Sequence, residues 1–335
     1  MGEPESVCGS IVIRRHRRPP SGAWRTAPGF CVMRALREGE RVDSEEISFE
    51  SKGVALHGTI WRPTQAGDGT GTVLIGGSGQ TDRTNGGYFD ALRDRLVSAG
   101  IAVLGYDKRG AGRSGGSWPS ASVDDLAADA AAAVEALRGN EGVDRHRIGL
   151  FGHSEGGWVA LRARRNACPR FIVLNSCPAL SFLDSEVYAL TTAGVDSNRA
   201  QGLFERLRQA AREGADTAAA NRLLAHTGDP FLDTVLEQAS FRLDTDRWEQ
   251  LRSWIEYSPS ADLASLNVAT LAIYGELDPL TPVEASLRFL GQKTAIVDTV
   301  VIPGADHRLQ VDGQLAGSYL DTVTGWVTSS SSTAA

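Results

Sequence analysis

The chain has no apolar run approaching the ~20 residues that a membrane-spanning helix requires. Cysteine is sparse. Cys8, Cys31, Cys168 and Cys177 form neither a Cys-x-x-Cys pair nor any zinc-ligand spacing, which excludes a zinc ribbon or a dithiol redox motif. A bridge between Cys168 and Cys177 would have to join the two ends of one strand. All four are therefore expected to be free thiols, in keeping with a cytoplasmic setting. A surplus of basic charge is also missing: the formal charge of -7 gives no reason to expect a nucleic-acid partner. Histidine is limited to His16, His57, His146, His153, His226 and His307, so a reaction needing an imidazole base has few to choose from.

What is present reads as globular. Hydrophobic content is 41% and charged content 22%, and 335 residues can hold one large α/β domain with an insertion or two ordinary domains. Residues 1–42 differ from the rest. Arg14, Arg15, Arg17 and Arg18 crowd beside Pro19 and Pro20, with no apolar core that would make a secretory signal. We expect a disordered leader there rather than a basic arm, and Met33 offers an alternative start.

From Glu45 the pattern becomes regular. Residues 47–50 and 54–61 alternate about Lys52-Gly53, which predicts a hairpin. Short apolar runs follow at 72–75, 101–106, 147–151, 171–175, 268–274 and 294–302. Between the earlier ones lie helical stretches, at 88–96 and from a cap at Ser122 or Asp124 to Leu137, closed by Gly139. This alternation predicts a mostly parallel, doubly wound α/β sheet with its reactive loops at the C-terminal strand ends. The strand rhythm stops over 178–262, where helical spacing recurs. We expect a helical cap insertion there, an α/β core made of 43–177 and 263–328, and a disordered tail at 329–335. The cap is rich in large aromatics, among them Phe182, Tyr188, Phe204, Phe231, Phe241, Trp248, Trp254 and Tyr257. They could line an apolar acyl pocket, although core packing is the commoner fate of any one such ring.

The densest signal is Gly152-His153-Ser154-Glu155-Gly156-Gly157, set between a strand-like run and a helix-like one. Strand, Gly-x-Ser-x-Gly, helix is the context of a nucleophile elbow. A serine on so sharp a turn needs neighbours without side chains, and Gly152 and Gly156 supply them. Two other glycine loops end strands. One is Gly76-Gly77-Ser78-Gly79. The other contains Gly110, Gly112 and Gly115, which spell G-x-G-x-x-G. A dinucleotide site would need a helix opening on the third glycine, and Gly116-Ser117-Trp118-Pro119 cannot begin one.

A serine hydroxyl needs a base within hydrogen-bond reach and a group that orients the base. His307 follows a late strand and is the expected base. Asp278 ends the strand before it and is the expected orienting acid, with Glu276 a weaker rival and Asp306 badly placed. His153 is expected to point away from the hydroxyl, His57 to be structural and His226 to lie at a helix end or in solvent. The order Ser154, Asp278, His307 matches the Ser, Asp, His order of α/β-hydrolases.

These motifs, with Asp82-Arg83, Asp107-Lys108-Arg109-Gly110, Gly275-Glu276-Leu277-Asp278-Pro279 and Gly304-Ala305-Asp306-His307, resemble the α/β-hydrolase superfamily. The likeness is to serine esterases of the dienelactone-hydrolase-like or serine aminopeptidase-like type, and it runs from about residue 45 to 328. It implies catalysis by Ser154, Asp278 and His307, with an oxyanion hole from two backbone amides. One is that of Glu155; the other is that of Ser78, with Gln80 as the alternative, because Gly76-Gly77 replaces the family's usual His-Gly. Lys108 and Arg109 receive no role from the resemblance. It implies no metal or organic cofactor and a small acyl substrate. Ester hydrolysis is the expected reaction. Thioester cleavage, acyl transfer or elimination by the same triad are alternatives, and a non-catalytic binding protein on this fold is a more remote one.

Overall fold

The computed structural model describes residues 12–14, 43–65, 67–225, 227, 230–231, 233–234, 243–293 and 296–332. The expectations for the leader, apart from residues 12–14, and those for His226 and Phe241 lie outside the described residues. So do Cys8 and Cys31. Cys168 and Cys177 are free.

The strands are β1 (Val12–Arg14), β2 (Asp43–Ser51), β3 (Val54–Arg62), β4 (Gly71–Ile75), β5 (Ala102–Tyr106), β6 (Ile148–His153), β7 (Phe171–Asn175), β8 (Ala269–Gly275) and β9 (Val297–Ile302). They form one sheet in the order β1-β9-β8-β7-β6-β4-β5-β3-β2. β5, β4, β6, β7, β8 and β9 run parallel, and β2, β3 and β1 pair antiparallel at the two edges. Lys52 and Gly53 take positive φ in the β2–β3 turn.

The parallel strands are continuous apolar runs because both faces are covered. On one face, helices α2 (Val123–Arg138) and α3 (Glu155–Ala167) pack on Val73, Leu104, Leu150 and Ile172. Ala127, Ala130 and Ala133 keep α2 slim enough to lie close against the sheet. Its start is the Ser122 side chain bonded to the Asp125 N–H, with the Asp125 carboxylate returning to the Ser122 N–H. On the other face, α1 (Asp90–Ser98) and the last helix pack on Leu74, Val103, Phe151 and Val173.

Between β7 and β8 come α4 (Phe182–Thr192), α5 (Ser197–Arg212), α6 (Thr217–Ala225), α7 (Thr245–Trp254) and α8 (Ser260–Ala264). α9 (Val283–Lys293) follows β8. The short pair β10 (Gln310–Val311) and β11 (Gln314–Leu315) follows β9. The last helix, α10 (Gly317–Ser332), corrects the expectation of a disordered tail from 329. Helical structure continues to Ser332, and the Ser331 carbonyl accepts from Arg147 Nη2 at 3.0 Å, which docks the final turn on the core. No helix among the described residues is long and apolar enough to cross a membrane.

The strand order has one consequence for the site. β4 and β6 are neighbours, yet the chain leaves them toward opposite sides of the sheet: from β4 toward β5, and from β6 toward β7. Their C-terminal loops therefore meet at a topological switch point, the usual location of ligand sites in open α/β sheets. G-x-G-x-x-G opens no helix here, since α2 begins only at Val123. Instead, Arg109 from this loop makes a bidentate pair with the buried Asp129 of α2, Nη2 to Oδ1 at 2.7 Å.

Asp129→Ala should leave the Arg109 guanidinium uncompensated and destabilise the fold by about 3–5 kcal/mol. Lys52→Ala breaks only the exposed Lys52–Asp125 pair at 2.9 Å and should cost less than about 1 kcal/mol. Urea unfolding of the two variants checks both values.

Candidate active site

Ser154 stands between β6 and α3 with φ 54 and ψ -120, a left-handed value that non-glycine residues rarely adopt. Its N–H is held by the Asn175 carbonyl at 2.8 Å, and its carbonyl accepts from the Gly157 N–H at 2.9 Å. A side chain on Gly152 would collide with the Gly156 backbone, and one on Gly156 with the carbonyls of Ile75 and Gly76. Bare backbone at these two positions lets the strand, the turn and the β4 loop close on one another. The first residue of α3 is Glu155, whose N–H has no carbonyl partner one turn back along the helix.

The loop after β4 lies directly against this turn. A Cβ built on Gly77 would stand 3.5 Å from Ser154 Cβ and 2.9 Å from His153 Nδ1. Gly77, Ser78, Ser154 and His307 share the wall of one cleft of about 540 Å³.

Asp278 and His307 are brought together by adjacent parallel strands, β8 and β9. His307 Nδ1 lies 2.8 Å from Asp278 Oδ2 and 3.0 Å from Oδ1. Asp278 is buried, and its Oδ1 also accepts the N–H groups of Leu280 and Thr281 at 2.8 Å each. Those bonds fix the carboxylate before the imidazole arrives. With Nδ1 engaged, Nε2 is the ring nitrogen left for a proton transfer.

The two other acids are occupied elsewhere. Asp306 Oδ1 accepts the backbone N–H groups of Arg308 and Gln310, and Glu276 Oε2 accepts that of Gly304. Both shape the His307 loop.

Three features correct the expectations, decide between them or were missed by them. First, His153 does not turn away from the site. Its ring borders the same cleft, 5.3 Å from the His307 ring centroid and 4.6 Å from that of Tyr88. Tyr88 and Phe89 precede α1 and close around the ring, and the Asn85 amide donates to its Nδ1 at 3.2 Å. Burial, and next the neighbouring His307, push this imidazole well below the ordinary histidine value, so it stays neutral near pH 7.

Second, of the two fates open to the aromatics between β7 and β8, none of those described lines this cleft. Phe182, Phe204, Trp248, Trp254 and Tyr257 are buried in the core that also covers α3, and Phe231 is exposed. Trp158 of α3 collects Phe182, Trp254 and Tyr257 around itself. Tyr188 reaches the region differently, its hydroxyl donating to the Asp278 backbone carbonyl at 3.3 Å. The cleft wall instead combines Gln80, Asp82, Asn85 and Arg308 with the exposed Leu280.

Third, Thr281 was not singled out by sequence. Its hydroxyl donates to the Ser176 carbonyl at 3.0 Å and lies 3.3 Å from His307 Nδ1. A threonine three residues after an acid is too common a pattern to have marked it.

Comparison with known proteins bears on this arrangement. The profile described as "Alpha/beta hydrolase family" matches residues 54–315, most of the chain. The protein belongs to the alpha/beta hydrolase family. Among relatives, this hydrolase is 27% identical over 219 residues to a non-heme chloroperoxidase of Burkholderia pyrrocinia, covering 61% of this chain and 74% of that one. It is 36% identical over 124 residues to an uncharacterized protein of Mycobacterium tuberculosis, covering 37% of this chain but only 42% of that one. Among solved structures, the hydrolase matches the Pyrococcus furiosus esterase Pf2001 with a TM-score of 0.57 at 19% identity, over 93% of this chain and 99% of that one. The alpha/beta hydrolase GrgF from Penicillium sp. sh18 gives 0.61 at 16% identity, over 87% and 100%. These structural likenesses are likenesses of fold. Family membership supports a hydrolase activity.

The lowered His153 value sets a pH dependence for the hydrolase. Unfolded, the imidazole titrates near ~6.5; folded, it titrates well below. Between the two values the unfolded chain binds more protons, so stability is complete above about pH 6.5 and falls as pH drops through that window. His153→Phe should flatten this part of the profile. Urea unfolding at intervals from about pH 7.5 to 5 measures the slope, and an unchanged slope would assign it to another group.

Proposed function

We propose that the protein is a serine hydrolase that cleaves carboxylic esters through an acyl-enzyme on Ser154. One observation carries this reading: Asp278 holds His307 by Nδ1 at 2.8 Å in a cleft whose wall also bears Ser154 on its elbow. In this mechanism His307 Nε2 takes the Ser154 proton as the hydroxyl oxygen attacks the acyl carbonyl. Asp278 keeps the tautomer and steadies the imidazolium that forms. The negative charge on the carbonyl oxygen is received by the backbone N–H groups of Glu155 and Ser78, each worth roughly 3–4 kcal/mol in the barrier. His307 then returns the proton to the departing alcohol. Water, deprotonated by the same imidazole, releases the acid.

The geometry favours Ser78 over Gln80 for the second donor. Gly77, which precedes Ser78, is the residue packed against Ser154 Cβ, whereas Gln80 lies beyond the positive-φ turn at Gly79. Helices α4 to α8 serve in this reading as a cap over the strand ends, with Tyr188 its contact to the acid loop. A cleft of about 540 Å³ is of the size that takes small-molecule ligands.

Ser154→Ala should abolish labelling by a fluorophosphonate and lower p-nitrophenyl acetate or butyrate turnover by about 10⁶-fold. Asp278→Asn should keep the labelling site but lower turnover by about 10⁴-fold, by leaving the imidazole in the wrong tautomer. Undiminished labelling of Ser154→Ala would remove the serine from the mechanism.

A further inference from the structure

The loop after β5 holds a cation that the mechanism above does not use. Lys108 is 2% exposed, and its ammonium reaches across from β5 to the far side of β4. There Nζ donates to Glu155 Oε1 at 2.7 Å and to the Gly77 carbonyl. Trp118 Nε1 donates to the same Glu155 oxygen at 3.2 Å. We propose that Lys108 is a positioning residue that aims both backbone donors of the oxyanion hole. The inference rests on the function proposed above and deepens it.

The argument is one of peptide geometry. The Gly77 carbonyl and the Ser78 N–H belong to one planar trans unit, so they point in opposite directions. A bond that fixes the carbonyl toward Lys108 fixes the N–H away from it. Gly77 has no side chain to hold that plane, and the Ser78 side chain is exposed. The second donor is the Glu155 N–H, and the side chain of that residue is held by the same ammonium. One buried cation thus ties together the two chain segments whose spacing defines the hole.

Charge gives Lys108 a second effect. The carboxylate of Glu155 sits on the residue whose amide is to receive an oxyanion, and an unpaired negative charge there would oppose the one developing in the transition state. Lys108 neutralises it. Stability does not require the pair, because the desolvation of two buried ions largely offsets their attraction. Orientation of the Gly77–Ser78 peptide and neutralisation of Glu155 are separable: Glu155→Gln removes the charge and leaves an acceptor for Trp118.

The test compares wild type, Lys108→Met and the double variant Lys108→Met/Glu155→Gln. Each is measured for thermal midpoint, kcat and KM on p-nitrophenyl butyrate, and inhibition by an alkyl trifluoromethyl ketone, whose adduct places an oxyanion in the hole. The single variant should be destabilised by the unpaired carboxylate, and the double should recover the thermal midpoint. In both, kcat should fall roughly 10- to 100-fold, at or below the low end of the ~10²–10³-fold cost of losing a donor outright. KM should change by less than about threefold, and the inhibition constant should rise in parallel with the loss in kcat/KM. If the single variant does not fold, the double carries the comparison alone. Recovery of kcat in the double would overturn the proposal, leaving Lys108 as a counter-ion only. A rise in KM at constant kcat would also overturn it. Absence of fluorophosphonate labelling on wild-type Ser154 would instead bring down the proposed function, and this inference with it.

Discussion

The architecture turns on the backbone of one residue. Ser154 holds φ 54 and ψ -120, a conformation that costs a non-glycine residue about 1–3 kcal/mol and persists only where its surroundings leave no other choice. Those surroundings are identifiable. β6 fixes the entry through five register pairs with β4 and four with β7. α3 fixes the exit, with most of its residues buried against the sheet. Between them, Gly152 and Gly156 allow backbone to meet backbone, and Gly156 also lets the β4 loop close over the turn. Put a methyl group at either glycine and the serine, the helix start and the neighbouring loop cannot all keep their places.

How much of this was legible in the sequence depends on how local each feature is. Strands β4 to β8 showed as short apolar runs because both their faces are covered, and the elbow showed because its steric demand is written in adjacent glycines. The Ser122 cap and the Lys52-Gly53 turn are also decided within four residues. Side-chain direction at His153 was not legible. It depends on Tyr88 and Phe89, which lie more than sixty positions away and meet the ring only once β4 and β6 are neighbours. The aromatics between β7 and β8 took the commoner of the two fates that the sequence left open, as core residues. Composition marked them as large and apolar, but whether a ring faces a cleft or a neighbouring helix is set by packing, and Trp158 drew three of them inward. The final helix outran its sequence signal because a serine-rich stretch has modest helix propensity, and Arg147, distant in sequence, holds its last turn.

The segment Asp107-Lys108-Arg109 joins the two ideas. Its three consecutive charged residues go to three different elements. Asp107 takes Arg83 from the loop after β4, Oδ2 to Nη2 at 2.9 Å; Lys108 takes Glu155 of α3; and Arg109 takes Asp129 of α2. Burying such pairs yields little net stability, since each ion gives up its hydration. What they supply is direction, because a hydrogen-bonded ion pair tolerates far less misalignment than an apolar contact of equal area. The strand that carries them, β5, lies beyond β4 from the elbow and contributes no group to the proposed triad. It acts on the site from behind, holding the β4 loop, the start of α3 and the body of α2 in one frame. A cleft assembled from the loops of separate strands has no covalent reason to keep its spacing, and a shift of about 1 Å at a reacting centre is enough to cost 10²-fold in rate. Three ion pairs radiating from one loop, two of them buried and the Asp107–Arg83 pair partly so, meet that constraint, with the middle one set where the proposed oxyanion donors converge.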